Sequence, residues 1–264
     1  AVHCHNGNVT VKNCTFVNNS AIGGGTNATN GYAGALGLVY TGSPGVTVLD
    51  SHFYNNTAVN DGGAVQVMGT GRDAKIINSD FENNTAAYGG AVSIKGTNTV
   101  VTDSTFNNNN ATSTANDNMG GGAIYIEGRN TNITDSIFTD NNAAKEGGAI
   151  FVSGENSRVI NSNLTGNIAG DDGGAVYWEG NNGIVDKVNC TNNTGTSTGG
   201  NSQGGAMIIT GNNLHISNST FTSDTVVNSP TSRGGALFIT GTNTVIADSN
   251  FTDCNASQYG GAVQ

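Results

Sequence analysis

Proline is almost missing from this chain of 264 residues, with two copies, and charged residues make up only 11% of it. Forty glycines fall well short of one in three, so with so little proline a collagen triple helix is excluded. Helix-favouring Ala, Leu, Glu and Lys are not abundant, whereas Gly and the 41 Asn disfavour helix interiors. Long helices are therefore not expected. Nine Lys plus Arg stand against nineteen Asp plus Glu, a formal charge of -10, which argues against binding a nucleic-acid backbone or an anionic membrane surface. No apolar run approaches the roughly 18 residues a membrane helix needs, and AVHCHNGNVT has no basic stretch leading into an apolar one. A segment that is soluble or already processed, without membrane insertion, is expected. Four cysteines (Cys4, Cys14, Cys190, Cys254) are too few and too scattered for a disulfide scaffold or a zinc site with paired spacing.

What is present is a repeat. Gly-Gly-Ala followed by an apolar residue recurs with its Ala at 64, 91, 123, 149, 175, 206, 236 and 262, with a degenerate copy at Ala35 and Ala1 in the same phase. Fifteen residues after the Ala comes Phe16, Phe106, Phe138, Leu164, Cys190, Phe221 or Phe251, while Phe53 and Phe81 lie two or three residues later. Three residues further stands Asn19, Asn56, Asn84, Asn109, Asn141, Asn167 or Asn193, with Asp224 and Cys254 ending the series. Length variation is thus confined to the stretch between this F-x-x-N and the next Gly-Gly-Ala.

Residues one and three after the Ala are apolar, as in Val92/Ile94 and Val176/Trp178, a period of two that signals a strand with that face inward. Asn at 98, 130, 156, 182, 213 and 243 marks a corner, because Asn and the Gly before it tolerate a left-handed backbone. A β-branched residue such as Val101 or Ile133 opens the next strand, and Asn or Asp at 13, 103, 135, 161, 218 and 248 marks a second corner before the Phe. Three short strands and three corners in about 26 residues describe one turn of a solenoid, where a propeller blade would need four strands and roughly 40 to 50 residues. The expected fold is all-β: a single domain over residues 1–264, forming a right-handed parallel β-helix of about nine coils with three short strands per coil. At about 4.8 Å per coil the rod is roughly 43 Å long. Like residues then stack into Phe, Ala and Asn columns, and stacked Asn amides satisfy one another and the corner backbone. Both ends fall at the same phase of the repeat, which predicts a continuous stack: further coils of the same chain, or head-to-tail joining into a fibre.

The pairing of Gly-Gly-Ala-(Ile/Val) with F-x-x-N, as in Gly121-Gly122-Ala123-Ile124 with Phe138 and Asn141, resembles the repeat of polymorphic outer-membrane proteins. It is also similar to that of adhesin-like β-helix surface proteins, including those of methanogenic archaea. The resemblance spans the whole chain. It implies a cell-surface or extracellular passenger region with a structural or adhesive role, and the expected function is that of a non-enzymatic, glycosylated rod. The chain departs from the pattern at Leu164, Cys190, Asp224 and Cys254, and shows no autotransporter barrel or anchor.

Two residues after the Ala the side chain should face outward, yet five consecutive coils place Tyr125, Phe151, Tyr177, Ile208 and Phe238 there. An exposed column of this kind would suit sugar rings or a protein partner, making a carbohydrate-binding module of host or environmental polysaccharide the alternative function. The insertions at 112–119, 194–203 and 226–233 enter the same strand and would instead bury the column. Glu127 and Glu179 sit at equivalent positions two coils apart, roughly 9.6 Å, near the upper limit for an inverting glycosidase, so a polysaccharide hydrolase or lyase is the third reading. Ser153 lies between them and no Lys or Arg supports them, which favours solvated charges. His3 and His5 share a face without a carboxylate or thiol, and Asp171 and Asp172 lack the calcium nonapeptide, so neither metal nor other cofactor is expected. Cys4 and Cys14 both point inward in the first coil, where a cross-link is conceivable. Fourteen Asn-x-Ser/Thr sequons occur, at Asn8, Asn13, Asn18, Asn27, Asn55, Asn83, Asn110, Asn132, Asn163, Asn189, Asn192, Asn218, Asn250 and Asn255. Asn18, Asn55, Asn83 and Asn192 fall two residues after the Phe landmark and should point outward, as covalent glycans require.

Overall fold

One coil shows how the chain is laid down. In the computed structural model Val92–Ile94 runs straight, Asn98 turns the chain at φ 57°, and Val100–Thr102 follows. Asp103 at φ 51° then leads into Thr105–Asn107, and Asn108 at φ 52° into Asn110–Ala111. Each corner is a single left-handed residue, a conformation that Asn and Asp accept at lower cost than most residues. The inward side chains are Val92, Ile94, Val101, Phe106 and Ala111, all buried. Residues 2–5, 9–23, 31–39, 45–68, 73–114, 120–197, 200, 202–228 and 231–264 are described by the structure.

Repetition of this unit gives a right-handed parallel β-helix with no helix among the described residues. Every strand pairs in parallel with its counterpart one coil away, so the register carries like residues onto like: Phe16 on Phe53, Phe81, Phe106, Phe138, Leu164, Cys190, Phe221 and Phe251. Phe106 and Phe138 lie with centroids 4.8 Å apart and planes within 4°. Leu164 and Cys190 occupy the Phe column without shifting it.

Two features differ from the sequence expectation. Four sheets line the coil, because a fourth strand of two or three residues, such as Thr85–Ala86 or Asn142–Ala143, follows the inward Asn. So short a strand has no alternation to read. Three sheets hold nine strands and the fourth holds eight, so among the described residues eight coils carry all four strands and nine overcounts the complete turns.

Two polar ladders run through the interior. Each inward Asn accepts, at its side-chain oxygen, both the backbone N–H and the amide N–H of the Asn one coil earlier, at 2.9 to 3.0 Å from Asn19 to Asp224. Its amide also donates to the carbonyl of the preceding coil's Phe-column residue, as Asn141 does to Phe106 at 3.0 Å and Asn193 to Leu164 at 2.9 Å. Buried amides are thereby satisfied, and buried polar groups cost little only when so paired. The second ladder, of Ser51, Ser79, Ser104, Ser136 and Ser162, accepts the backbone N–H of the preceding coil and donates to the carbonyl two residues earlier in its own. A Ser recurring two residues before the Phe was its signal.

The two glycines of Gly-Gly-Ala have separate reasons. The first holds a positive φ, 64° at Gly147. The second lies so close to the next coil that a Cβ added at Gly148 would collide with the carbonyl oxygen of Gly174. Only glycine permits that backbone approach.

Candidate functional site

The column two residues after each Ala forms as the repeat predicts: Tyr125, Phe151, Tyr177, Ile208 and Phe238 stand opposite one another on consecutive strands. Ring centroids are 5.3 Å apart for both Tyr125–Phe151 and Phe151–Tyr177. The column is not a surface, however, since its members are only 1 to 7% exposed and make a second apolar cluster outside the main core. Its cover is the chain segment that returns from the fourth sheet to Gly-Gly. A Cβ added at Gly89 would lie 3.1 Å from the Tyr125 Cβ, and one at Gly173 would lie 3.2 Å from the Ile208 Cγ2. Gly89, Gly147 and Gly173 end connections that carry no insertion and abut Tyr125, Tyr177 and Ile208, whereas Phe151 abuts Gly121, which follows the insertion at 112–119. The partner-surface expectation for these five residues is therefore corrected: they glue a roof onto the first sheet.

Polar groups close this roof at its edges. Asp61 is buried and receives the Lys95 ammonium at 3.0 Å and the Gln66 amide at 3.3 Å. Burial raises its pKa against the lowering influence of Lys95. Lys95 also reaches Glu127 at 3.8 Å, and the Tyr125 hydroxyl donates to Glu127 at 2.6 Å. The sequence reading of Glu127 as unsupported by a cation is thus wrong. Three coils on, Glu146 is 4% exposed with one carboxyl oxygen unpartnered, and burial together with Asp172 and Asp171 pushes its pKa up to about 8. Asp172 is pushed to about 7 by burial and Asp171, although it accepts the Gln203 backbone N–H at 2.8 Å. Both carboxyls are largely protonated at weakly acidic pH.

A different group of residues lines an open cleft of about 440 Å³ along the corner between the second and third sheets: Lys12, Asn13, Asp50, His52, Asn78 and Asp80. They come from three successive coils, in which the left-handed Asn13, Asp50 and Asn78 form the floor of the corner. His52 and Asp80 face outward from adjacent third-sheet strands and meet at 2.8 Å between Nδ1 and Oδ2. Asp80 Oδ1 accepts the Thr105 hydroxyl at 2.5 Å, and Asn78 donates to Asp50 at 2.7 Å. Tyr54, two residues along the His52 strand, holds its ring parallel to the imidazole within 8° at a centroid distance of 6.0 Å. Its phenol pKa is raised by burial and by the charges of Asp80 and Glu82. Sequence reasoning missed this cluster, although its signal was present: coils that otherwise show Thr, Asn and Ile at these outward positions carry His, Tyr, Asp and Glu between 52 and 82.

The Chlamydia polymorphic membrane protein repeat matches residues 103–127 and 135–153. These stretches cover the second corner, the Phe landmark, the inward Asn and the Gly-Gly-Ala strand, and stop short of the β-branched strands Val100–Thr102 and Asn132–Thr134. No curated protein matches in sequence. Among solved structures, the Streptococcus pneumoniae surface protein and adhesin PfbA aligns over 97% of this chain and 85% of its own, at 10% identity with a TM-score of 0.41.

The remaining candidates separate. Glu127 and Glu179 are both exposed on the first sheet's edge, and Ser153 between them donates to the Ile126 carbonyl at 3.2 Å. Asp171 pairs with Lys145 at 3.5 Å. Among the described residues no three His, Cys, Asp or Glu side chains come together as a metal site. Cys4 and Cys14 are free thiols, not cross-linked, and Cys14 donates to the Lys12 carbonyl at 3.3 Å in the manner of the Ser ladder. Twelve of the fourteen sequon asparagines are described, and all are exposed or half-buried, while Asn8 and Asn27 lie outside the described residues. Asn18, Asn55, Asn83 and Asn192 share the third corner at φ 55 to 56°, side chains outward.

Proposed function

We infer that this chain is a non-enzymatic, adhesin-like rod of the cell surface, whose work is to hold outward-facing corners and loops on a stiff stem. The observation that carries this reading is the inward Asn ladder, unbroken from Asn19 to Asp224, which ties every coil to the next by side chains as well as by four parallel sheets. Such a stack transmits load along its axis, since each coil is anchored only by its neighbours. Similarity to the polymorphic membrane protein repeat supports the surface location. Along the third corner, Asn18, Asn55, Asn83 and Asn192 are the glycan acceptors this reading favours, because all four are exposed on one outward-facing corner.

The reading is tested on intact cells of the source organism expressing the full coding sequence. Antibody to residues 135–153 should label unpermeabilised cells, and peptide mapping should find glycan on members of the third-corner set. Labelling only after permeabilisation would defeat the surface assignment; all four third-corner sites bare beside filled sequons elsewhere would defeat the glycan part alone.

A further inference from the structure

The cleft on the first three coils stands apart from the rest of the wall. Elsewhere along the second and third sheets the outward positions are mostly Thr, Asn and Ile, which make a polar but featureless face. Here a chain that is 11% charged gathers Lys12, Asp50, His52, Asp80 and Glu82 beside Tyr54, and the wall opens into a hollow of about 440 Å³, within the size range of small-ligand sites.

The chemistry of the lining selects its ligand. His52 and Tyr54 supply two parallel rings, each with an apolar body and a polar tip, half-buried and so accessible. Around them stand short, fixed hydrogen-bonding groups. Asp80 is an acceptor already held by His52 and Thr105, Asp50 is held by Asn78, and each carboxylate keeps lone pairs beyond those bonds. Because a carboxylate only accepts, the His52 Nδ1 is the donor in that pair, which leaves Nε2 for a ligand. Asn13, Asn78 and Lys12 add donors. A pyranose ring matches this set, with an apolar C–H face for an aromatic body and a rim of hydroxyls that both donate and accept. Asp50, Asp80 and the adjoining Glu82 disfavour an anionic sugar or a phosphate.

We propose that the cleft of Lys12, Asn13, Asp50, His52, Asn78 and Asp80, with Tyr54 at its side, is a binding site for a neutral pyranose unit of an external saccharide. The proposal deepens the adhesin-like reading by naming what the rod holds. It is independent of where the protein is located, because the test is made in solution.

The 264-residue protein, made in a host that adds no Asn-linked glycan so that the cleft beside Asn13 is clear, is examined by saturation-transfer NMR. The probes are the methyl pyranosides of glucose, galactose, mannose and N-acetylglucosamine, with trigalacturonate as the anionic comparison. At least one neutral pyranoside should receive saturation, and Tyr54→Ala or Asp80→Asn should weaken its binding tenfold or more. Arg158→Ala, coils away, should leave it unchanged. The substituted side chains face outward, and an unaltered thermal midpoint shows that each variant is folded. No transfer to any neutral pyranoside, binding that survives both Tyr54→Ala and Asp80→Asn, or preference for trigalacturonate would each overturn the assignment. Failure of cell-surface labelling, by contrast, would leave it standing.

Discussion

Replacing Asp224 by Asn should make the protein more stable, by an amount that grows from about pH 4 to about pH 7 and then levels off. Asp224 is the last carboxyl or amide member of the inward ladder, fully buried, and its Oδ1 accepts both the backbone and the amide N–H of Asn193 at 2.9 Å. Its Oδ2 has no partner. From Asn56 to Asn193 that position is an amide nitrogen donating to the carbonyl of the preceding coil's Phe-column residue, so the register aims Oδ2 at the Cys190 carbonyl. The Cys254 thiol keeps the pattern one coil later, donating to the Phe221 carbonyl at 3.5 Å. An ionised Asp224 sets oxygen against oxygen, whereas a protonated one donates as Asn would. Burial pushes its pKa from 3.8 up to about 7, against the lowering effect of the Asn193 and Thr222 backbone and the Asn193 amide. Because the folded pKa is the higher one, the folded state holds this proton while the unfolded chain releases it. The contribution is complete below about pH 4, is lost as pH rises from about 4 to about 7, and stays lost above that. A rise from 3.8 to about 7 corresponds to about 4 kcal/mol. Urea unfolding of wild type and Asp224→Asn from pH 4 to 8.5 checks this. The two should be nearly equal at pH 4 and diverge toward pH 8.5 in favour of the variant. Parallel curves with a constant gap would refute the protonated-carboxyl reasoning.

Phe138→Ala should cost on the order of 3 to 5 kcal/mol, because Phe106 and Leu164 above and below are held by their own coils and cannot close the cavity; wild-type resistance to urea would contradict the register. Glu146, with its pKa raised to about 8 by burial and its acid neighbours, should behave as Asp224 does: the thermal midpoint should fall as pH rises from about 5 to 8.5, and Glu146→Gln should flatten the decline. A pH profile unchanged by Glu146→Gln would show that the carboxyl is ionised throughout.

The inward half of this molecule was legible because each position there obeys two constraints at once. Phe106 must face the interior of its own coil and also match Phe81 and Phe138, so spacing alone fixes its direction and its neighbours. The Asn corners were legible for a similarly local reason, since one left-handed residue is required at each. The outer half obeys weaker rules. Period two assigns Tyr125 to the outer side of its strand, correctly, but says nothing of a second layer above it. The roof follows instead from Gly-Gly, whose glycines permit close backbone approach, a meaning the spacing carried and the strand pattern did not. The fourth sheet escaped for want of length, because Thr85–Ala86 offers only one inward residue.

That division between the two halves also explains where recognition can arise on such a stem. A substitution in the ladder or the Phe column strains the coils on both sides, so chemistry new to the repeat is tolerated chiefly at outward positions, where a side chain meets only its strand neighbours and water. Along most of the wall these outward columns are Thr and Asn that pair with one another, as Thr134 donates to Thr102 at 3.0 Å and Asn189 to Asn163 at 3.0 Å. In the first three coils the same columns hold His52, Asp80, Tyr54 and Glu82; His52 and Asp80 are tied coil to coil and Tyr54 stacks beside His52 on one strand, so the scaffold positions these three at no cost to its interior. Groups fixed in this way are pre-ordered before any ligand arrives, which reduces the side-chain entropy lost on binding. A rod built from stacked identical rungs therefore carries its specificity as a local departure from the repeat, and on this chain that departure lies between Lys12 and Glu82.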